Sequence, residues 1–217
     1  AYGARLGDKW FVVVDGKEEK PYDGILGTLT FSPDSQRVAY GAGVGDKRFV
    51  VVDGKEEKPY DGIMEGTPIF SPDSQRVAYA AGVGDKMLAV VDGKEEKQYD
   101  AIGAGSLTFS PDSRRVAYVA QVGDKRFVVV DGKEEKQYDV IAAGSLTFSP
   151  DSQRVAHAAG VRKWFREKWF VVVDGKEGKP YDGIATMGGG RIIFDSADSF
   201  HYLAAKGADI YLVEERI

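Results

Sequence analysis

Short apolar runs and polar turn clusters alternate along the chain about every ten residues, and the whole pattern returns about every 39 residues. The stretch Ser106 to Ala142 shows one unit. Ser106 to Ser110 (SLTFS) reads as a short strand, ended by Pro111, whose fixed φ starts a turn that Asp112 can support through its side chain. Arg115 to Ala120 (RVAYVA) reads as a second strand and Arg126 to Val130 (RFVVV) as a third. The third is β-branched and nearly all apolar, as a strand buried on both faces would be. Asp131-Gly132 between two runs is a strong hairpin signal, because a type I′ turn needs positive φ at both positions. Gln137 to Ile141 (QYDVI) is predicted as a fourth, more polar strand at the outer edge.

The repeat is explicit in the letters. FVVVDGKEEK stands whole from Phe11, Phe49 and Phe127, and returns as LAVVDGKEEK from Leu88 and FVVVDGKEGK from Phe170. FSPDS begins at Phe31, Phe70, Phe109 and Phe148, each 39 residues apart, with a worn copy, FDSAD, from Phe194. Four short antiparallel strands per unit of this length describe one blade of a β-propeller. A helical solenoid is the other architecture at this period, but no segment offers ten residues of 3.6 periodicity. The prediction is an all-β chain, a β-propeller of four-stranded antiparallel blades.

Counting the units gives five SPD-type inner strands, six RVAY-type second strands, six VVVD-type third strands and five YDGI-type outer strands. Six blades fit this count best, with the first lacking an inner strand and the last an outer one. A ring of five, with a spare hairpin, is the alternative. No linker interrupts the repeats, so 1–217 is read as a single domain that begins and ends in mid-repeat. The incomplete terminal blades are expected to leave strand edges open to pairing with a partner.

FSPDS followed by RVAY and then a VVVDG strand resembles the TolB-type, WD-like propeller repeat, across essentially the whole chain. The match has two departures. Ser35, Ser74, Ser113 and Ser152 stand where the family has a glycine after SPD, and the Trp-Asp pair of true WD repeats is missing. The resemblance implies the fold and says little about activity, since such blades serve binding proteins, lyases and the gating domains of serine peptidases. It also favours a periplasmic or secreted location.

Composition narrows the chemistry. The net charge is −5, from 29 basic and 34 acidic residues interspersed along the chain, which argues against a nucleic-acid surface. Cysteine is absent, which removes disulfides, thiolate metal sites and a cysteine nucleophile. No apolar run is long enough to span a membrane as a helix. DGKEEK clusters carboxylates, but a lysine lies among them and the alternating ligand spacing of a calcium loop is missing, so a hairpin turn is expected. Gly41 to Lys47 (GAGVGDK) lacks the strand–helix context of a phosphate loop and also reads as a turn. The histidines are His157 and His201; His157 stands where sister units have Tyr40, Tyr79 and Tyr118, so it is expected to fill a packing slot. No catalytic residue, metal or cofactor is assigned.

Tyr22, Tyr60, Tyr99, Tyr138 and Tyr181 each precede an Asp, and such a series either stacks on sugars or serves the blade itself. The irregular positions carry more information. Between Val161 and Lys168 the chain is four residues longer than in its sisters, and it places Trp164 and Phe165 among Arg162, Lys163 and Arg166. Aromatic residues beside arginine are common material of protein-binding hot spots. The start of the third strand also varies, as Trp10, Arg48, Met87, Arg126 and Trp169. The expectation is a non-enzymatic scaffold that binds a protein or peptide through one loop face carrying these residues. The alternatives are a propeller accessory to a larger hydrolase and a carbohydrate-binding propeller.

Overall fold

The computed structural model describes residues 1–163, 166–185 and 191–217. Those residues contain no helix and form six antiparallel sheets. By internal contacts the chain divides into two units, Ala1–Ala104 with the long hairpins of sheets 1 to 3 and Gly105–Ile217 with those of sheets 4 to 6.

Each sheet is built on one long hairpin. The second strands are Tyr2–Leu6, Val38–Val44 and Val77–Val83 in the first unit, and Val116–Val122, Val155–Lys163 and Ser199–Lys206 in the second. The third strands that pair with them are Lys9–Val14, Lys47–Val52, Lys86–Val91, Lys125–Val130, Arg166–Val173 and Asp209–Arg216. The DG turns that follow take the left-handed conformation at both residues, for example φ 50° at Asp131 and 75° at Gly132. The serines that replace the expected glycine after SPD are also left-handed, at φ 61° (Ser35), 66° (Ser74), 67° (Ser113) and 65° (Ser152).

The predicted outer strand needs correction. In sheet 4 the edge strand is Lys133–Glu134, and it ends at a bridge between Arg126 and Tyr138. Val140–Ile141 then leaves that sheet and pairs with Gly160 and Ala159 of sheet 5. Gln137 to Ile141 is therefore shared between two neighbouring sheets. The reason is local: the Asp139 N–H donates to Gly160 O at 3.1 Å, so the chain crosses over at the aspartate. The same crossing occurs at Asp23, Asp61 and Asp182.

The cores lie between neighbouring sheets. Val12 and Tyr22 of sheet 1 pack with Tyr40, Ala42 and Val51 of sheet 2. Val50, Val52 and Tyr60 pack with Val77, Tyr79 and Ala81. In the second unit Ala158 and Val171 pack with Tyr202 and Ala204. Burying each such valine is worth about 1.5–3 kcal/mol. Tyrosines meet edge to face across these seams, with ring centroids 6.4 Å apart for Tyr22 and Tyr40 and 6.0 Å for Tyr60 and Tyr79.

Three sets of polar contacts tie neighbouring sheets, and they account for most of the strictly repeated charges. Arg37 pairs with Asp53 in its own sheet (Nε–Oδ2 2.8 Å) and donates through Nη1 to the carbonyls of Ser74 and Gln75 in the next sheet. Arg115 does the same with Asp131, Ser152 and Gln153. Lysines of the DGKEEK edge pair with the next sheet's glutamate, as Lys20–Glu56 (2.8 Å), Lys58–Glu95 (2.7 Å) and Lys136–Glu177 (2.8 Å). Finally, the Asp after each edge tyrosine accepts from a lysine behind it and from an N–H in front. Asp23 holds Lys9 (2.5 Å) and the Gly45 N–H (2.7 Å), and Asp61 holds Lys47 (2.7 Å) and the Gly84 N–H (2.8 Å). Exposed ion pairs are each worth about 0–1 kcal/mol, so these ties set register more than they stabilise.

Candidate functional site

Because the repeated charges are consumed in ties between sheets, the positions free to recognise a ligand are those where the repeat varies. Trp10, Arg48, Met87, Arg126 and Trp169 occupy one register position, the second or fourth residue of the third strand. Four of them bridge to the edge tyrosine through the backbone, as in Trp10 N–H to Tyr22 O at 2.9 Å and Arg48 N–H to Tyr60 O at 2.9 Å.

The residue across from each explains the choice. Arg48, Met87 and Trp169 lie opposite Gly43, Gly82 and Gly160. A Cβ on Gly43 would come within 3.1 Å of Arg48 Nη1, and one on Gly160 within 3.2 Å of the Trp169 ring, so the large side chain lies over the glycine. Where the opposite residue is not glycine, the two side chains meet. The Arg5 guanidinium sits 5.7 Å from the Trp10 ring centroid, and Arg126 Nε donates to Gln121 Oε1 at 3.2 Å.

In the first unit this position opens onto a cavity of about 630 Å³ between sheets 2 and 3. Its wall combines apolar side chains (Ile25, Leu26, Ile63 and Met64) with Arg48, Asp61 and Glu65. A second cavity of about 370 Å³ lies beside Trp10 and shares Ile25 and Gly27 with the first. Trp10 and Arg48 thus flank the same segment, Ile25 to Gly27. Arg48 Nη1 is held by the carbonyls of Gly45 (2.9 Å) and Lys47 (3.0 Å) in its own turn. Asp61 is held well below the usual carboxylate range by the Gly84 N–H and by Lys47.

The sequence pattern singles out Trp10 and Arg48 but not Ile25, Ile63, Met64 or Glu65. A signal exists for Met64 and Glu65, since the connections ILGTL, IMEGTP and IGAGSL differ after their shared isoleucine, but none marks Ile25 or Ile63.

The insertion between Val161 and Lys168, expected as an enlarged loop, is a lengthened hairpin. Arg162 pairs with Glu167 and Lys163 with Arg166 as strand residues, continuing the register of the sister hairpins. Arg162 Nε lies 3.2 Å from Glu167 Oε1, and its N–H donates to Asp139 Oδ2 at 2.6 Å. Trp164 and Phe165 lie outside the described residues.

The edge tyrosines Tyr22, Tyr60, Tyr99 and Tyr138 are buried, so they present no ring face for a sugar to stack on. Their hydroxyls are pushed above the usual phenol range, first by burial, at Tyr22, Tyr60 and Tyr138. His157 is buried and meets Tyr138 edge to face at 6.0 Å, as Tyr40 meets Tyr22, so it does fill the tyrosine slot. His201 Nδ1 lies 2.9 Å from both carboxylate oxygens of Asp195.

No protein-family model and no curated protein matches the chain. Among solved structures, the β-propeller domain of the trilobed protease from Pyrococcus furiosus matches 88% of this chain and 68% of its own, at 13% identity and a TM-score of 0.53. The fold is a β-propeller. TolB from Acinetobacter baumannii matches 96% of this chain at 15% identity and a TM-score of 0.45. An acylaminoacyl peptidase matches 87% of this chain and 39% of its own, at 13% identity and a TM-score of 0.46. The chain spans 57% of the length of the TolB it matches.

Proposed function

We propose that the chain is a non-enzymatic binding module that holds an extended protein or peptide segment in the cavity between sheets 2 and 3. The observation that carries this reading is the division of labour among side chains. The repeated charges are spent on ties between sheets, while the variable residues Leu26, Arg48, Met64 and Glu65 converge, beside the repeated Ile25 and Ile63, on one concavity of about 630 Å³. Pockets that take ligands are concave and mostly apolar, with a few polar groups that fix orientation. Here the apolar wall suits one aliphatic or aromatic side chain of the segment. Glu65, exposed and without an ion pair among the described residues, suits a basic neighbour on it.

The test is selection from a displayed random peptide library on the wild-type chain, followed by binding to Leu26→Asp and Met64→Glu variants. Enriched peptides should share an apolar anchor beside a Lys or Arg and lose at least tenfold in affinity on either variant. No enrichment, or equal binding to all three proteins, would reject the site.

A further inference from the structure

Tyr79 and Glu57 are the counterparts of Tyr40 and Glu19, but the bond between them is missing. Tyr79 pairs with Val90 as Tyr40 pairs with Val51, and Glu57 is the second glutamate of its DGKEEK hairpin, as Glu19 is of the first. Where sheets 1 and 2 meet, the two groups satisfy each other, since Tyr40 Oη donates to Glu19 Oε2. Where sheets 2 and 3 meet, Tyr79 is 1% exposed and its hydroxyl has no hydrogen-bond partner among the described residues. The Glu57 carboxylate has neither an ion pair nor a hydrogen bond among them. A buried hydroxyl left unpaired is costly, and it calls for a partner.

Both residues line a cavity of about 170 Å³ at the DG-turn end of this seam, which shares no lining residue with the cavities described above. At about 30 Å³ for each water in the liquid, that is room for about five or six non-hydrogen atoms. Val52, Val77 and the Tyr79 ring form its apolar wall, and Arg37, Glu57 and Asp92 its polar one. Two of these charges are already matched. Arg37 is held by Asp53 and by the carbonyls of Ser74 and Gln75. Asp92 accepts from Arg76 Nε at 2.8 Å and from the Val77 N–H at 3.1 Å. Glu57 therefore leaves the wall with one uncompensated negative charge. Burial, the first cause, raises the Tyr79 pKa and keeps the phenol protonated, so its oxygen offers lone pairs and no charge.

We propose that this cavity binds a primary ammonium group carried on a short alkyl stem. An ammonium has three N–H donors and no acceptor, which matches the Glu57 carboxylate, Tyr79 Oη and the Asp92 carboxylate. Its methylenes lie along Val52 and Val77, as amphipathic chains bury their stems while the charged head stays on polar groups. An anion of the same size would meet Glu57 and find the Arg37 guanidinium already engaged. The Tyr40–Glu19 bond closes the equivalent place between sheets 1 and 2, and between sheets 4 and 5 His157 replaces the tyrosine. The ammonium comes either from a free alkylamine or from a lysine side chain of a partner, since the two share this chemistry.

The test is NMR titration of the whole chain with n-butylammonium, Nα-acetyl-lysine methylamide and, as the anionic counterpart, butyrate. At least one of the two amines should saturate the protein and butyrate should not; the amine that binds more tightly identifies the source. Glu57→Gln and Tyr79→Phe, each checked for folding by circular dichroism, should weaken amine binding by roughly tenfold or more. Glu18→Gln, which removes an exposed carboxylate outside the cavity, should leave it unchanged. Three outcomes would overturn the proposal: saturation by neither amine, butyrate binding as tightly as n-butylammonium, or amine binding that either cavity variant leaves unaltered.

Discussion

His157 Nδ1 lies 3.7 Å from Glu135 Oε2, and neither atom has a hydrogen-bond partner among the described residues. At the first seam the equivalent pair is satisfied: Tyr40 Oη donates to Glu19 Oε2 at 2.5 Å. Imidazole is shorter than phenol, so His157 fills the slot without reaching the carboxylate. Burial holds its pKa down at about 4, below the usual 6.5. Burial, and after it the charge of Asp174, pushes Glu135 up to about 7 from 4.5, against the opposing charge of Arg115.

These shifts act on stability with opposite signs. Folded His157 binds fewer protons than the unfolded chain, so its cost is absent above pH 6.5 and grows as pH falls towards 4. Folded Glu135 binds more, so its cost is absent below pH 4.5 and grows as pH rises towards 7. His157→Gln should therefore stabilise the protein most in acid, by up to roughly 3 kcal/mol near pH 4. Glu135→Gln should do so most at neutral pH. Urea unfolding at several pH values checks both; gains that change in the same direction with pH would sink the account.

Ser35 and Ser74 share the left-handed conformation, at φ 61° and 66°, but not the same surroundings. The buried Ser74 hydroxyl accepts the Asp34 N–H at 3.0 Å and so ties sheet 3 to sheet 2. Ser35 is exposed and has no such bond. Glycine relieves the strain at either site, so Ser35→Gly should stabilise by about 0.5–1 kcal/mol. At Ser74 the lost hydrogen bond costs about 1 kcal/mol and cancels that gain. Denaturant midpoints decide it, and an equal gain at both sites would refute the role given to Ser74.

The repeat spacing, the β-branched third strands and the DG turns were enough to read the fold class, because each is a local property. Two features were hidden for physical reasons. QYDVI looks like one strand, yet it divides at Asp139, because the partner that draws Val140 and Ile141 away is the next sheet, some twenty residues on. The insertion from Arg162 looks like a loop because it is polar, but an exposed hairpin needs no apolar alternation to keep its register. At the candidate site, Trp10 and Arg48 were legible as breaks in a repeat. The apolar wall was not, since Ile25 and Ile63 resemble any core residue until neighbouring sheets are placed.

Tyr202 offers a test of how the blade seam is maintained. The second glutamate of the DGKEEK hairpin, Glu19 in the first copy, is Gly178 in the last, and Tyr202 Oη instead donates to Glu215 Oε1 at 2.8 Å. A Cβ on Gly178 would lie 3.5 Å from Glu215 Oε2, so the acceptor approaches the place its sister would supply. Glu215→Ala should cost about 1–3 kcal/mol by leaving a buried hydroxyl unpaired. Adding Gly178→Glu to that variant should recover much of the loss. A double variant no more stable than Glu215→Ala would show that the two carboxylates are not equivalent.

The lengthened hairpin should be dispensable for folding. Replacing Arg162 to Glu167 by Gly-Asp recreates the VGDK turn of sheets 2 to 4, in which a left-handed glycine such as Gly45 (φ 57°) closes the strands. The hydrogen bond at risk runs from the Arg162 N–H to Asp139 Oδ2, and the new glycine N–H takes that place as the Gly45 N–H does for Asp23. The exposed ion pair of Arg162 with Glu167 disappears with the hairpin, and such a pair is worth only about 0–1 kcal/mol. The shortened chain should melt within a few degrees of the wild type. If it instead loses a large part of its stability, the hairpin packs on the body of the protein, and Arg162 to Arg166 form part of its core structure rather than a surface available to a partner.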